Sequence, residues 1–268
     1  MSEQPNPRWR KWLKLAVPSL ALLVLFVWLY YTPSGLLGKA DAIGYAVCHR
    51  IALRSYFLGE RQLPLCARCS GMHLGALLGL VYQMRLGKRG GMPARKISIL
   101  LGIFLMVFAI DGINSYLHLF PNAPSLYQPH NVLRLITGTL LGIGIAAALY
   151  PVFNQTVWAE YSPLPALSKY RQVLELLGVA ALIDLAVISQ NPLLVYPLAL
   201  LSAANVLFVL GTIYTIIWVL ILKRENRYNT IRELWILLTA GLATAILQIA
   251  IMDVGRFLLT GSWEGFLG

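Results

Sequence analysis

The residues best suited to chemistry are three cysteines and four histidines: Cys48, His49, Cys66, Cys69, His73, His118 and His130. Thiolates and imidazoles are the ligands zinc prefers, and a Cys₃His set is a common closed zinc site. Cys66-Ala67-Arg68-Cys69 supplies a C-x₂-C pair, the ordinary first half of such a site. The second half would be the adjacent Cys48-His49, a less usual arrangement because neighbouring side chains diverge. His49 and His73 are both available as a fourth ligand. On a helix, Cys66, Cys69 and His73 fall at i, i+3 and i+7 and share a face. Two other readings use the same atoms. Cys66 and Cys69 form a redox-active pair with Arg68 lowering a thiol pKa, or they form a structural disulfide that leaves Cys48 idle.

A second cluster follows. Asp111, Asn114, Ser115 and His118 sit at i, i+3, i+4 and i+7, again on one helical face. Asp111 lies inside an apolar run, where an ionisable group is costly and needs a partner or a cavity. His130, Asn131 and Arg134 come next, and an Asp111–Arg134 ion pair is the expected partnership. Asp184, Asn205, Gln248 and Asp253 are further polar residues inside apolar runs. Together with Asp111 the acids and Gln248 are placed to line a cavity; singly they read as helix–helix glue. Gly138, Gly142 and Gly144 with Thr137 indicate close helix packing.

The elements that position these residues are membrane helices. The chain is 58% hydrophobic and 12% charged, with a mean hydropathy of +0.67, against roughly 25% charged residues in an ordinary soluble domain. The expectation is an all-α, polytopic transmembrane helix bundle forming a single domain over residues 1–268, with the lipid bilayer as its partner. About seven spans can be read, each near 20 apolar residues: Leu13 to Tyr31, Ser70 to Leu86, Ile97 to Leu119, Val132 to Val152, Val173 to Ser189, Leu193 to Leu222 and Leu234 to Leu259. Between the first two lies one long loop, Thr32 to Cys69, in which Tyr56, Phe57 and Leu58 suggest contact with the membrane interface. A secretory signal ending near Ala40-Asp41-Ala42 is disfavoured, because the first apolar run is about 19 residues and the small-residue site lies too far beyond it.

Charge orients the spans. Arg8, Arg10, Lys11 and Lys14 precede or open the first span. Arg85, Lys88, Arg89, Arg95 and Lys96 follow the second, Lys169 and Arg171 the fourth, and Lys223, Arg224, Arg227 and Arg232 the sixth. These are most of the 22 basic residues, and cytoplasmic loops collect Lys and Arg. The N-terminus is expected inside and the C-terminus outside, in a multi-pass cell-membrane protein with its Cys/His cluster extracytoplasmic. The same rule absorbs the net charge of +11. No basic stretch carries a stacking aromatic platform, so nucleic acid is not an expected partner. There is no G-x-x-x-x-G-K-[ST], G-x-S-x-G or H-E-x-x-H motif.

The run CHRIALRSYFLGERQLPLCARCSGMHLGALLG, residues 48 to 79, resembles the membrane family called domain of unknown function 2085. Cys48, His49, Arg54, Ser55, Gly59, Leu63, Pro64, Cys66, Arg68, Cys69, Gly71 and Gly75 carry the resemblance, and Asp111-Gly112 with NVLRLITG (131 to 138) resembles its second block. The resemblance covers roughly residues 45–145 and leaves 151–268 as additional helices. His73 stands where the family pattern has Tyr, which favours His49 as fourth ligand. It implies no activity. The resulting expectation is an outward-facing metal site, Zn²⁺ held by Cys48, His49, Cys66 and Cys69. Beside it would lie a polar cavity drawn from Arg54, Arg68, His73, Asp111, His118, His130, Asn131 and Arg134, open to a lipid-like or anionic small-molecule substrate. The alternatives are a membrane thiol–disulfide oxidoreductase using Cys66 and Cys69, and a structural or assembly protein.

Overall fold

A computed structural model describes residues 7–120 and 124–264 of the chain. Residues 265–268, which end the segment expected outside, fall beyond the described residues. The described residues form eight α-helices: α1 (Pro7–Tyr31), α2 (Gly35–Val47), α3 (Ala67–Met84), α4 (Arg95–Leu117), α5 (Asn131–Val157), α6 (Tyr170–Ile188), α7 (Pro192–Ile221) and α8 (Ile231–Thr260). Two small strand pairs lie in the loops. Strands β1 (Phe57–Leu58) and β2 (Arg61–Gln62) form an antiparallel hairpin, and β3 (Arg89–Gly91) pairs in parallel with β4 (Ser162–Pro165).

Every expected span is a helix, and five are long and apolar enough to cross a membrane: α1 from Lys14, α4, α5, α7 and α8. Helices α3 and α6 are shorter. Leucines, isoleucines and phenylalanines stand exposed along α1, α4 and α8, including Leu22, Phe26, Leu105, Ile113 and Leu258. Such a continuous exposed apolar surface belongs against lipid.

The tightest seam joins α3 to α5. A Cβ at Gly71 or Gly75 would collide with the carbonyl oxygens of Leu135 or Thr139, and one at Gly138 or Gly142 with those of Arg68 or Met72. The two backbones therefore touch, as small residues permit between membrane helices. Gly144 faces open space and takes no part.

The segment from Thr32 to Cys69 is not one loop. Its first half is α2, whose residues Ala40, Ala42, Ile43 and Tyr45 are buried. At 13 residues α2 is too short to read as a span. It rests on the chain before α3, where a Cβ at Gly44 would strike the Pro64 carbonyl. Tyr56 is buried and Leu58 packs beside it in a cluster with Leu63, Leu135, Val187 and Val195. One side of this aromatic stretch is covered by the ends of α6 and α7.

Candidate functional site

Helix α2 ends and α3 begins at one point, and that junction assembles the cysteines. Cys48 caps the C-terminus of α2, its N–H donating to the Gly44 carbonyl at 2.8 Å. Cys66 is the N-cap residue of α3, and its backbone N–H donates to Cys48 Sγ at 3.3 Å. Cys69 lies in the first turn of α3. The three sulfurs all lie within 4.8 Å of one another, near the roughly 4 Å spacing expected of sulfurs about 2.3 Å from a shared zinc ion. All three cysteines are free. Cys48 is buried and the other two are half-buried.

Thiols this close share protons. Hydrogen bonds from Cys66 and then Cys69 hold the Cys48 thiol well below its ordinary range, against the opposing effect of burial. Donating to Cys48 pushes Cys66 up to about 11, and Cys69 rises for the same reason. The trio thus gives up its first proton readily and keeps the others, as expected of coupled sites.

The last helix braces the junction. Arg256 of α8 donates to the Tyr45 and Cys48 carbonyls at 2.6 Å each and to that of His49 at 3.1 Å. A cation there answers the negative end of the α2 dipole. Asn205 of α7 donates to the His73 carbonyl at 2.8 Å. The only sequence hint of the Arg256 clamp is a charge inside an apolar run.

The expected histidines scatter. His49 is exposed, and neither its ring nor that of His73 is among the ligand atoms that converge with the sulfurs. His73 lies one turn beyond Cys69 on α3, within electrostatic reach of Cys48, and its Nδ1 is buried without a hydrogen-bond partner. His118 is exposed at the C-cap of α4. His130 caps α5, its Nδ1 accepting from the Val132 N–H at 3.2 Å.

The second cluster forms with a different pairing. Asp111 is buried, and its ion-pair partner is Arg68, not Arg134. Arg68 also donates to the Asp111 carbonyl at 3.1 Å and to Ser115 Oγ at 3.0 Å. Tyr127, which no sequence pattern marks, donates its hydroxyl to Asp111 at 2.8 Å. Arg134 instead donates to Asn131 Oδ1 at 2.8 Å and to Ser115 Oγ at 3.4 Å. The glycine seam sets the first turn of α3 directly against α5, and from there the Arg68 side chain reaches across to Asp111 on α4. Asn131 ties this group to the chain beyond Cys48 through the Leu53 carbonyl, at 3.2 Å.

Among the described residues, the remaining polar side chains bond across other helix pairs. Asp184 accepts from Thr139 at 2.8 Å, Gln248 from Tyr214 at 2.8 Å and Asp253 from Trp28 at 3.1 Å. Each ties one helix pair. A cavity of about 380 Å³ lies elsewhere, among Leu80, Met84, Leu149, Tyr150, Phe153, Trp158, Phe208 and Leu238. It holds none of the expected site residues.

A helical bundle with lipid-length apolar helices and a polar cluster at one end is a membrane protein. The family described as Predicted membrane protein (DUF2085) matches residues 48–148, which contain all three cysteines, the three arginines around Ser115 and Asp111. An uncharacterized protein of Methanothermobacter thermautotrophicus is 30% identical over 103 residues, 37% of this chain and 81% of that protein. An uncharacterized protein of Methanocaldococcus jannaschii is 26% identical over 120 residues, 45% of this chain and 72% of that protein. The chain belongs to the DUF2085 family. No solved structure matches it. Helices α6 to α8 lie beyond the matched residues, yet α7 and α8 supply Asn205 and Arg256 to the site.

Proposed function

We propose that Cys48, Cys66 and Cys69 hold a metal ion of the zinc class at a site that meets an anionic or lipid-like small molecule. The observation that carries the metal is the mutual approach of three sulfurs within 4.8 Å, a donor set that soft and borderline metals prefer. His73 suits the fourth position better than His49, since its buried Nδ1 has no other partner. Arg54, Arg68, Asp111, Asn131 and Arg134 form the polar group beside the metal. The positive-inside bias supports an extracytoplasmic position for this end, because the opposite loops carry Arg85, Lys88, Arg89, Arg95 and Lys96.

Metal analysis of the detergent-purified protein, combined with thiol counting, tests the reading. The expected result is stoichiometric metal and no disulfide. A metal-free protein whose Cys66 and Cys69 cycle between thiol and disulfide overturns it in favour of an oxidoreductase. Membrane-impermeant labelling of single cysteines introduced at Lys39 and Lys88, with native thiols blocked, tests the side. Labelling at Lys39 and protection at Lys88 in intact cells is expected; the reverse pattern inverts the topology.

A further inference from the structure

Three guanidinium groups from three separate segments converge on one serine. Arg54, in the turn after Cys48, donates to the Ser115 carbonyl at 3.1 Å. Arg68, from the first turn of α3, donates to Ser115 Oγ at 3.0 Å, and Arg134, from the first turn of α5, to the same oxygen at 3.4 Å. Among the described residues Asp111 is the one carboxylate that pairs with any of them. Arg54 and Arg68 are the like charges nearest Arg134, and Asp111 is the acid beside them. Burial and the charge of Arg68 both disfavour the protonated form of Arg54. Three thiolates around a divalent metal would add a net charge of −1 near Cys66, and positive charge would still be in excess. Like charges held together in a partly dehydrated place are costly unless an anion joins them.

The hydrogen-bond count points the same way. Each guanidinium carries about five N–H donors in a rigid fork. Arg54 uses one nitrogen on a backbone carbonyl, and Arg68 sends its bonds from a single terminal nitrogen while its Nε is buried without a partner. Most forks are therefore unspent. Exposure is graded: Arg134 is 7% exposed and the Arg68 side chain 20%, so the cluster is deep at α5 and opens toward Arg54 and Arg68. Planar forks set around a small volume match a tetrahedral oxyanion, whose several oxygens can each accept two bonds.

We propose that Arg54, Arg68 and Arg134 bind a phosphate-class oxyanion, as free phosphate or as the phosphomonoester head of a lipid. Asp111 holds Arg68 in place, Ser115 sets the spacing of the three forks, and Asn131 steadies Arg134. This names the anion that the metal-site reading leaves general, and it rests on that reading only for its neighbourhood, since no step needs the metal.

The test uses the full chain in zwitterionic detergent, titrated with inorganic phosphate by calorimetry. A parallel arm uses nanodiscs of phosphatidylcholine with and without phosphatidic acid. Saturable phosphate binding is expected, weakened about 10–100-fold by Arg54→Ala, the range for losing a charge-assisted hydrogen bond. Arg54→Lys keeps the charge without the fork and should fall between. Arg54 is the informative position because its side chain bonds only a backbone carbonyl, so folding survives its loss. Competition between phosphatidic acid and phosphate identifies a lipid head; phosphate binding that phosphatidic acid leaves unchanged identifies the free ion. Acetate binding as tightly as phosphate at equal ionic strength, no saturable binding in either arm, or indifference to Arg54→Ala overturns the proposal. Metal content is measured on the same samples. Phosphate binding without metal breaks the metal reading alone, and metal without phosphate binding breaks this one alone.

Discussion

Where α3 and α5 finish, polar side chains close the structure on itself. Tyr150 donates to the Gly87 carbonyl and Gln155 to that of Gly90. Asn154 donates to the Arg89 carbonyl at 2.8 Å while accepting from the Trp158 indole at 2.8 Å. Lys88 donates to the Asn229 carbonyl at 2.6 Å and lies over the Trp158 ring at 4.1 Å. Where the same two helices begin, the polar atoms outnumber their partners. Arg50 Nε, Tyr56 Oη, Arg68 Nε, His73 Nδ1, Asn205 Oδ1 and Asp253 Oδ1 are buried without a hydrogen bond within the chain, and none of the residues just named at the other end has such an atom. Buried polar groups are normally paired, so a concentration of unpaired ones marks a place where something other than packing is served. One end stitches loops; the other holds donors and thiols in reserve.

The largest effect that could break this contrast concerns Asp111. Asp111→Ala removes the one carboxylate among three arginines and should destabilise the protein by about 3–5 kcal/mol, the range for stripping one partner from a buried pair. Unfolding in detergent measures it. Adding Arg68→Met should recover part of that loss, whereas adding Arg134→Met should recover less, because the ion pair runs to Arg68. Equal recovery would dissolve the assignment of the pair.

Next in size is the metal. Cys48→Ser, Cys66→Ser and Cys69→Ser should each lower bound metal below stoichiometry, while His118→Ala and His130→Ala should leave it intact. His73→Ala should weaken it more than His49→Ala. With Cys48 held low and Cys66 up at about 11, the metal-free trio still carries protons at neutral pH that binding must release. Metal affinity should therefore rise with pH and fall on acidification. Competition against a chromophoric chelator across pH reads this directly, and a flat profile would contradict thiolate ligation.

The smallest effect belongs to the opposite end. Tyr150→Phe deletes one hydrogen bond to a loop carbonyl and should cost about 1 kcal/mol, with metal content and phosphate binding unchanged. A loss of either would mean that the two ends are coupled through the α3–α5 seam.

Apolar length and helical spacing determined much of this molecule locally. The runs beginning at Leu13, Ile97, Val132, Leu193 and Leu234 are helices long enough to span, because a backbone out of water must bond internally. The C-x₂-C spacing puts Cys66 and Cys69 together at the start of α3, and the glycines of α5 mark a close contact. What tertiary structure alone decided is which groups meet across elements. Helix α2 has Gly or Ala at six of its 13 residues, with no local signal for its burial against Pro64, and only that burial brings Cys48 to Cys66. Arg134 is nearer Asp111 in sequence than Arg68 is, yet backbone contact at Gly71 and Gly138 decides which guanidinium reaches the carboxylate. Spacing along one helix reports which residues share a face, and the depth to which two helices approach each other decides which of those faces meet.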